Sequence, residues 1–592
     1  MTEATEQRPM PSKTTTVSLD YRVAMPQPES HLFEVTLWVK GWCHDRLDLK
    51  FPVWTPGSYL VREYAKHLQN FSACDLEDRA RQWQKVSKNH WQVDTVGVAD
   101  LVVRYRIFAN ELTVRTNHLD RTHGYFNGAA LFFFIPGFDR QPMRVEIVPP
   151  KPHWEVASPL PEIAPQTFLA ADFDTLVDSP FEIGIHHRYD FPAAGKPHSL
   201  VVWGAGNLPA EKAIADIQRI IEVEAELFGG LPYDRYLFLL HLSGNGFGGL
   251  EHKDSCTLNY PRLGFRHPDK YNRFMQLVAH EFFHLWNVKR IRPKELEIFD
   301  YEAENYTPSL WFCEGTTSYY DTILPYRSGI YDAQTFLNLL SKDITRFLTT
   351  PGRKVQPLSE SSWDAWIKLY RRDANSDNAQ ISYYLKGEMV SFLLELLIRN
   401  NTKNSRSLDD VMRQLWQQFG REEIGFTADE LQAILATVAN TNLDNFFQHY
   451  IFGTEELPLD KYLEPFGLEV KPETNKSLPF LGIRTATYNG KTTIEFVEAE
   501  SPAQKAGIDA GDELLAIDGI RVSAEQLDDR LADYRSGDIL TVGIFHQDEL
   551  CTVPVTLDPP RPDRYQLVPV ARPTTAQLQN FEGWLGISLS SL

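Results

Sequence analysis

Apolar and polar residues alternate through the first third of the chain. Val17, Leu19, Tyr21 and Val23 set the pattern, Phe33, Val35, Leu37 and Val39 repeat it, and Leu101, Val103, Tyr105 and Ile107 repeat it again. Successive strand side chains point to opposite faces, so a period of two predicts half-buried antiparallel strands. Residues 14–192 are therefore read as an all-β, sandwich-like domain, with residues 1–13 a polar, disordered terminus. Within this domain Trp54-Thr55-Pro56-Gly57-Ser58-Tyr59 is a turn-bearing aromatic segment. It is read as corner packing in preference to a segment reaching a neighbouring site.

The period changes after Leu208-Pro209. Ile214, Ile217, Ile221 and Phe228 form a helical stripe that Gly229-Gly230 is placed to terminate. Residues 236–242 are nearly continuous in apolar side chains and read as a strand. They lead into residues 243–252, Ser-Gly-Asn-Gly-Phe-Gly-Gly-Leu-Glu-His, read as a flexible loop whose glycines let an extended peptide approach its main chain. Further on, helices are expected over 408–419 after Ser407, over 431–438 after the capping box Thr427-Ala428-Asp429-Glu430, and over 443–451. These place a mostly helical domain over 193–470, its helices packed beneath a cleft.

A stretch rich in Pro, Glu and Lys over 457–477 marks a boundary. Residues 471–558 form a further compact unit, with strands near 492–497 and 539–546. In it the capping box Ser523-Ala524-Glu525-Gln526 precedes Leu527, Leu531 and Tyr534. Residues 559–592, punctuated by proline, read as an extension lying on another domain. The expected fold class is multidomain α+β.

Composition narrows the functions. A chain of 592 residues exceeds the roughly 250–300 at which single cores stop growing. Its formal charge of −20 argues against nucleic acid, which demands a concentrated basic face. Five cysteines, odd in number and scattered, do not make a disulfide framework and fit a reducing compartment. The amino terminus shows no secretory pattern. The most apolar helix, near residues 389–398, contains Glu395 and falls short of the about 20 residues a membrane span needs. A cytoplasmic enzyme without a membrane partner is expected.

The chemistry is concentrated at residues 278–287, Val-Ala-His-Glu-Phe-Phe-His-Leu-Trp-Asn. On a helix His280 and His284 lie one above the other and can offer two imidazoles to one metal ion, with Glu281 beside them. This His-Glu-x-x-His pattern is that of zinc metallopeptidases, in which the glutamate is a general base and not a ligand. Phe274, Leu277, Val278, Phe282 and Leu285 place the helix in a core. One Zn²⁺ so held needs a third protein ligand and an open position. In aminopeptidase N relatives that ligand is a glutamate, with about 18 residues lying between it and the second histidine. That gap leads here to Ala303, with Glu302 and Glu304 on either side. The family's Trp-x-x-Glu-Gly setting appears instead at Trp311-Phe312-Cys313-Glu314-Gly315, with 29 residues intervening, and Glu314 is preferred on that context.

Two further segments are similar to this group. Gly248-Gly249-Leu250-Glu251-His252 resembles a glutamate-bearing exopeptidase loop, and Tyr384-Leu385-Lys386-Gly387 resembles a Tyr-x-Lys-Gly segment. Together with residues 280–293 and Trp54-Thr55-Pro56-Gly57, they make the chain resemble the glycyl aminopeptidase family, which has a longer gap before the third ligand and a PDZ domain after the catalytic part. Residues 501–507 and 511–519 are similar to the matching segments of PDZ domains. The resemblance implies a thermolysin-like fold for the catalytic domain and one Zn²⁺ on His280, His284 and Glu314. It makes Glu281 the base and Tyr384 the oxyanion donor, with Tyr383 as the neighbouring alternative. Gly248, Gly249 and Glu251 would bind substrate, Glu251 pairing with a free α-ammonium, and the implied preference is for small first residues such as Gly or Ala. In the PDZ domain Phe480, Leu481, Gly482 and Ile483 would form the loop that captures a peptide terminus, a purely structural module being equally open. The expected partners are peptides with a free amino terminus and a peptide at the PDZ groove. Alternative readings are a PDZ-assisted metalloendopeptidase and a catalytically vestigial peptide-binding adaptor.

Overall fold

The period-two segments assemble into one seven-stranded sheet. In the computed structural model, which describes residues 17–474 and 478–592, its order is Glu162–Ala164, Thr167–Ala170, Met143–Val148, Ser18–Ala24, Leu32–Lys40, Leu101–Phe108, Leu68–Asp75. The expectation for residues 1–13 lies outside the described residues. Register sets Tyr21 opposite Leu37 and Val35 opposite Tyr105, so one face of each strand is buried while its neighbours stay in contact with water. A four-stranded and a three-stranded sheet share the same core, which includes Leu131, Phe132 and Phe133. One short helix, Phe173–Val177, makes the domain β-rich rather than all-β. Asp172 caps that helix by accepting from the Thr175 N–H.

A second sheet of five strands carries the catalytic region. Its order is His187–Ala193, Lys196–Trp203, Tyr236–Ser243, Ser255–Pro261, Gly248–Glu251. The first two form a hairpin, and Lys196–Trp203 then runs parallel to Tyr236–Ser243. Sheet membership therefore changes near residue 186, ahead of the expected boundary at 192. The alternation in the hairpin looks like that of the domain before it, and only its long-range partner decides where it belongs. The expected flexible loop at 243–252 is also different: Gly248–Glu251 is the edge strand of this sheet, paired antiparallel to Ser255–Pro261.

Helices cover this sheet. The stripe after Pro209 is the helix Ala210–Phe228, ended by Gly229 at φ 79°, where glycine alone is unstrained. Pro268–Phe283, Thr317–Arg327 and Tyr383–Thr402 surround the site. Both downstream capping boxes form: Ser407 with Asp410 opens Leu408–Leu415, and Thr427 with Glu430 opens Ala428–Ala439. The first of these helices ends at Leu415 and gives way to a π turn, Trp416–Gly420, short of the expected 419. Among the described residues no helix is long and apolar enough to cross a membrane.

The PDZ unit is an excursion from the catalytic region. Strand Leu468–Glu473 pairs with Arg564–Pro569, so the chain leaves and returns at one place, and the boundary expected at 470 cuts that strand. Between them lies a five-stranded path from Ile483–Tyr488 to Glu549–Thr556, with Ile520–Arg521 alongside, around its own core of Ile494, Leu514, Val542 and neighbours. Ser523 and Gln526 form the expected capping box, but the helix is only Leu527–Leu531 and Tyr534 lies beyond it. The terminal helix Thr575–Leu585 packs Trp584 against Phe336, Phe392 and Phe466, with ring centroids 5.7–5.8 Å apart. Trp584→Ala is expected to destabilise the catalytic unit by about 3–5 kcal/mol, the cost of a large cavity, read in urea denaturation; an unchanged midpoint would contradict this packing role.

Candidate active site

The helix Pro268–Phe283 ends at the two histidines, with His284 as its C-cap. Phe274, Val278 and Phe282 seat it in the core, which turns His280 and His284 toward Glu314. Their Nε2 atoms lie 3.4 and 3.1 Å from one oxygen of that carboxylate. The outer nitrogens are already engaged: His280 Nδ1 meets Asp321 at 2.8 Å, and His284 Nδ1 meets the Asn287 carbonyl at 2.6 Å. Such contacts fix the tautomer that leaves Nε2 lone pairs facing inward. An ion with ligand bonds of about 2.0–2.1 Å in a tetrahedron separates its ligands by about 3.3 Å, and the observed spacing fits that figure. Glu302, the candidate by spacing, is instead held by Lys50 at 2.6 Å.

Glu314 sits on a single π turn, Trp311–Thr316, that runs into the helix Thr317–Arg327. Asn287, fully buried, holds this turn: its amide donates to the carbonyls of Phe312 and Cys313 and to Thr317 Oγ1, at 3.0–3.1 Å. One side chain thus ties the histidine segment to the glutamate segment. The helix Tyr383–Thr402 crosses the π turn at Gly315 and Gly387. A Cβ at Gly315 would fall far inside contact with the Gly387 backbone, and one at Gly387 would meet the Trp311 carbonyl oxygen at 2.6 Å. Both motif glycines are needed to let two backbones touch.

Three carboxylates converge here from different elements. Glu251, Glu281 and Glu314 are 4%, 5% and 1% exposed. Glu251 Oε1 and Glu281 Oε2 have no hydrogen-bond partner among the described residues. Burial pushes the Glu281 carboxyl up to about 7, His280 opposing the rise and Glu251 adding to it. Burial acts the same way on Glu314, but His284 and His280 outweigh it and hold that carboxyl down at about 2. Gly249 lies directly against the Glu281 side chain and Gly57 against Glu251, with no room for a Cβ at either.

The aromatic turn at 54–59 is therefore more than corner packing. Trp54 does pack edge-on to Trp366 at 5.1 Å, yet the same turn roofs Glu251. Trp54, Pro56, Gly57, Tyr59 and Phe299 enclose a space of about 10 Å³ beside that carboxylate. The Tyr384 ring stacks on His280 with centroids 6.2 Å apart, and its hydroxyl lies 3.4 Å from that of Tyr370. Burial, with Glu314 nearby, raises its phenol well above the usual value, so it stays a proton donor. Tyr383 shares Tyr370 as a neighbour but is fully buried, leaving Tyr384 as the one that borders open space.

Sequence reasoning missed Arg115 and Asp321. The guanidinium of Arg115, from the N-terminal domain, donates to the Gly249 carbonyl at 3.1 Å. No periodicity marks a loop residue whose partner lies far along the chain. Asp321 carried a signal, since it falls seven residues after Glu314 and two helical turns return it to the same face.

Family models match in three places: the Peptidase M61 N-terminal domain over residues 20–185, M61 glycyl aminopeptidase over 273–390, and a PDZ domain over 479–557. A crystal structure of an aminopeptidase N family protein from Idiomarina loihiensis is 31% identical, with a TM-score of 0.90 over 96% of this chain and 100% of that one. The chain belongs to the M61 glycyl aminopeptidase family. It is thus a member of a peptidase family, with a β-rich N-terminal domain, a helical catalytic region and a PDZ domain. The M1 zinc metallopeptidase from Deinococcus radiodurans is 13% identical, with a TM-score of 0.48 over 76% of this chain and 96% of that one. No protein with a curated description matches.

In this M61 peptidase the PDZ loop stands apart from the converging carboxylates. Phe480, Leu481, Gly482 and Ile483 line a separate cleft of about 1010 Å³ whose opposite wall is Leu348, Arg353 and other catalytic-region residues. The Phe480 N–H is already bonded to the Asp558 carbonyl at 2.9 Å, so it is not free to hold a peptide terminus. The backbone crossing at the glycines yields a test. Gly387→Ala is expected to weaken metal binding by about 10–100-fold, as loss of a ligand-supporting contact does, while Gly543→Ala in the PDZ sheet, where a Cβ meets nothing nearer than 3.7 Å, should leave it unchanged. Equal metal affinity in the two variants, measured by competition with a chelating dye, would refute the crossing as the constraint on Glu314.

Proposed function

We propose that this M61 peptidase is a zinc-dependent aminopeptidase that removes small first residues, Gly or Ala, from peptides. The observation that carries this reading is the burial of Glu251, Glu281 and Glu314 around two imidazoles, with Glu251 and Glu281 each keeping an unpartnered oxygen. Buried like charges are costly unless cations meet them. Zinc on His280, His284 and Glu314 answers one side of the cluster and a substrate ammonium at Glu251 the other. When bound, Zn²⁺ supplies Lewis-acid polarisation of the scissile carbonyl and of water.

The chain's own groups do the rest. Glu281 takes a proton from the attacking water and passes it to the leaving amine. Tyr384 donates to the developing oxyanion, a contact of about 3 kcal/mol in comparable sites. Glu251 pairs with the α-ammonium and so sets the cut one residue from the end. Arg115 holds the Gly249 carbonyl, and the outer edge of strand Gly248–Glu251 is left for the substrate backbone. The preference for Gly or Ala as the first residue is carried over from the family the chain belongs to. At the PDZ cleft we assign a peptide terminus to Leu481, Gly482 and Ile483.

Glu281→Gln is expected to keep its zinc and lose turnover, and full activity in that variant would sink the mechanism. Acetylating the amino terminus of a Gly- or Ala-initiated peptide should abolish cleavage; cleavage of the blocked peptide would identify an endopeptidase. Tyr384→Phe should cost about 10²–10³-fold in kcat and Tyr383→Phe far less. Because Glu281 must be ionised to act as a base, kcat/KM should fall on acidification with an apparent pKa at or below about 7, a bound divalent cation moving it downward.

A further inference from the structure

A second cluster of potential ligands lies on the far face of the peptidase sheet. Along Tyr236–Ser243 the residues Phe238, Leu240 and Leu242 belong to the catalytic core, whereas Leu237 and Leu239 pack with Tyr125 and Ala157 of the N-terminal domain. By the alternation of strand side chains His241 shares that second face. There it meets Glu182, on strand Phe181–Gly184, at 2.8 Å. His123, on the paired strand His123–Phe126, completes a trio whose ligand atoms all lie within 4.8 Å of one another. The side chains are 0%, 1% and 1% exposed for His123, Glu182 and His241.

A hydrogen-bonded polar core does not account for these groups. Both ring nitrogens of His123, Oε1 of Glu182 and Nδ1 of His241 lack any partner among the described residues. Leaving one buried polar atom unsatisfied is costly, and here four are gathered in one place. The rings are held in position: His123 stacks on Trp203 with centroids 3.7 Å apart and planes 19° apart. Half-buried His118 stands next to it, centroids 4.9 Å apart, and itself contacts Asp120 at 3.2 Å. That pair leads from solvent toward the buried trio and gives an ion a way in.

We propose that His123, Glu182 and His241 form a second, structural metal site that pins the N-terminal domain to the back of the peptidase sheet. Two imidazoles and a carboxylate suit a divalent first-row ion, Zn²⁺ foremost. The ligands come from three strands in two domains, so an ion there would join pieces that otherwise meet through side-chain packing. Binding needs the His241–Glu182 contact to open by roughly half an ångström, and His123, within 4.8 Å of both, to settle at the same ligand spacing of about 3.3 Å. The proposal does not rest on the catalytic assignment.

The full-length chain, stripped with chelator and titrated with Zn²⁺, should bind two equivalents. H284N/E314Q, with the first site broken, should keep one equivalent and a melting temperature that rises on adding Zn²⁺; adding E182Q and H241Q to that background should remove both. X-ray absorption at the zinc edge of H284N/E314Q should show mixed imidazole and oxygen ligation. Absence of tight zinc in H284N/E314Q, or binding there that survives E182Q and H241Q, overturns the proposal. Should the quadruple variant fail to fold, H118Q and D120N added to H284N/E314Q decide, since His118, Asp120 and His123 also offer two imidazoles and a carboxylate: zinc kept there supports the buried trio, and zinc lost there overturns the proposal. Absence of peptidase turnover in the unsubstituted chain with zinc bound at both sites would count against the aminopeptidase reading alone.

Discussion

Glu251, Glu281 and Glu314 are withdrawn from water within one cleft, and the molecule is built around making that tolerable. Desolvating a carboxylate costs several kcal/mol even after the protein relaxes, and three in proximity repel one another as well. The Arg115 guanidinium is a nearby cation that the chain itself provides, and the two imidazoles face the cluster as metal ligands. What remains is a cluster of buried carboxylates with two oxygens that no hydrogen bond meets among the described residues. On the proposed reading that cluster draws cations, a metal at Glu314 and a substrate ammonium at Glu251.

Holding those charges in position requires backbones closer than side chains normally permit. Gly315 and Gly387 let the π turn bearing Glu314 touch the helix bearing Tyr384. Gly249 lets an edge strand lie on Glu281, and Gly57 lets a loop of the N-terminal domain lie on Glu251. Asn287 then replaces the hydrogen bonds that a regular helix would have made at residues 312 and 313. Each glycine stands where a carboxylate or a crossing backbone occupies the space of its missing side chain. The motifs are thus as much about approach distance as about reacting groups.

Much of this was legible beforehand because its signals are local. The histidine pair follows from helical spacing, and Glu314 from its Trp-x-x-Glu-Gly surroundings against the rival spacing at Glu302, which Lys50 engages instead. The cap at Ser407 and the capping box at Thr427 depend on residues within three positions, and both formed, Ser407 as a full capping box with Asp410. The errors fall where the outcome depends on distant partners. Strand Gly248–Glu251 read as a loop because its glycines are poor strand formers and its register comes from Ser255–Pro261. The hairpin at 187–203 read in part as the preceding domain because its alternation is the same whichever sheet it joins.

The sequence by itself determined the grouping of His280, His284 and Glu314, the helix that carries the histidines and the order of domains, since these rest on periodicity and on residue types at short spacing. Tertiary structure alone decided which surfaces meet. It brought Arg115 and the 54–59 turn from the β-rich domain onto the site, returned Trp584 to the catalytic core, and set His123 and Glu182 against His241. Such meetings are fixed by burial of whole faces over long chain separations, and no local pattern encodes them.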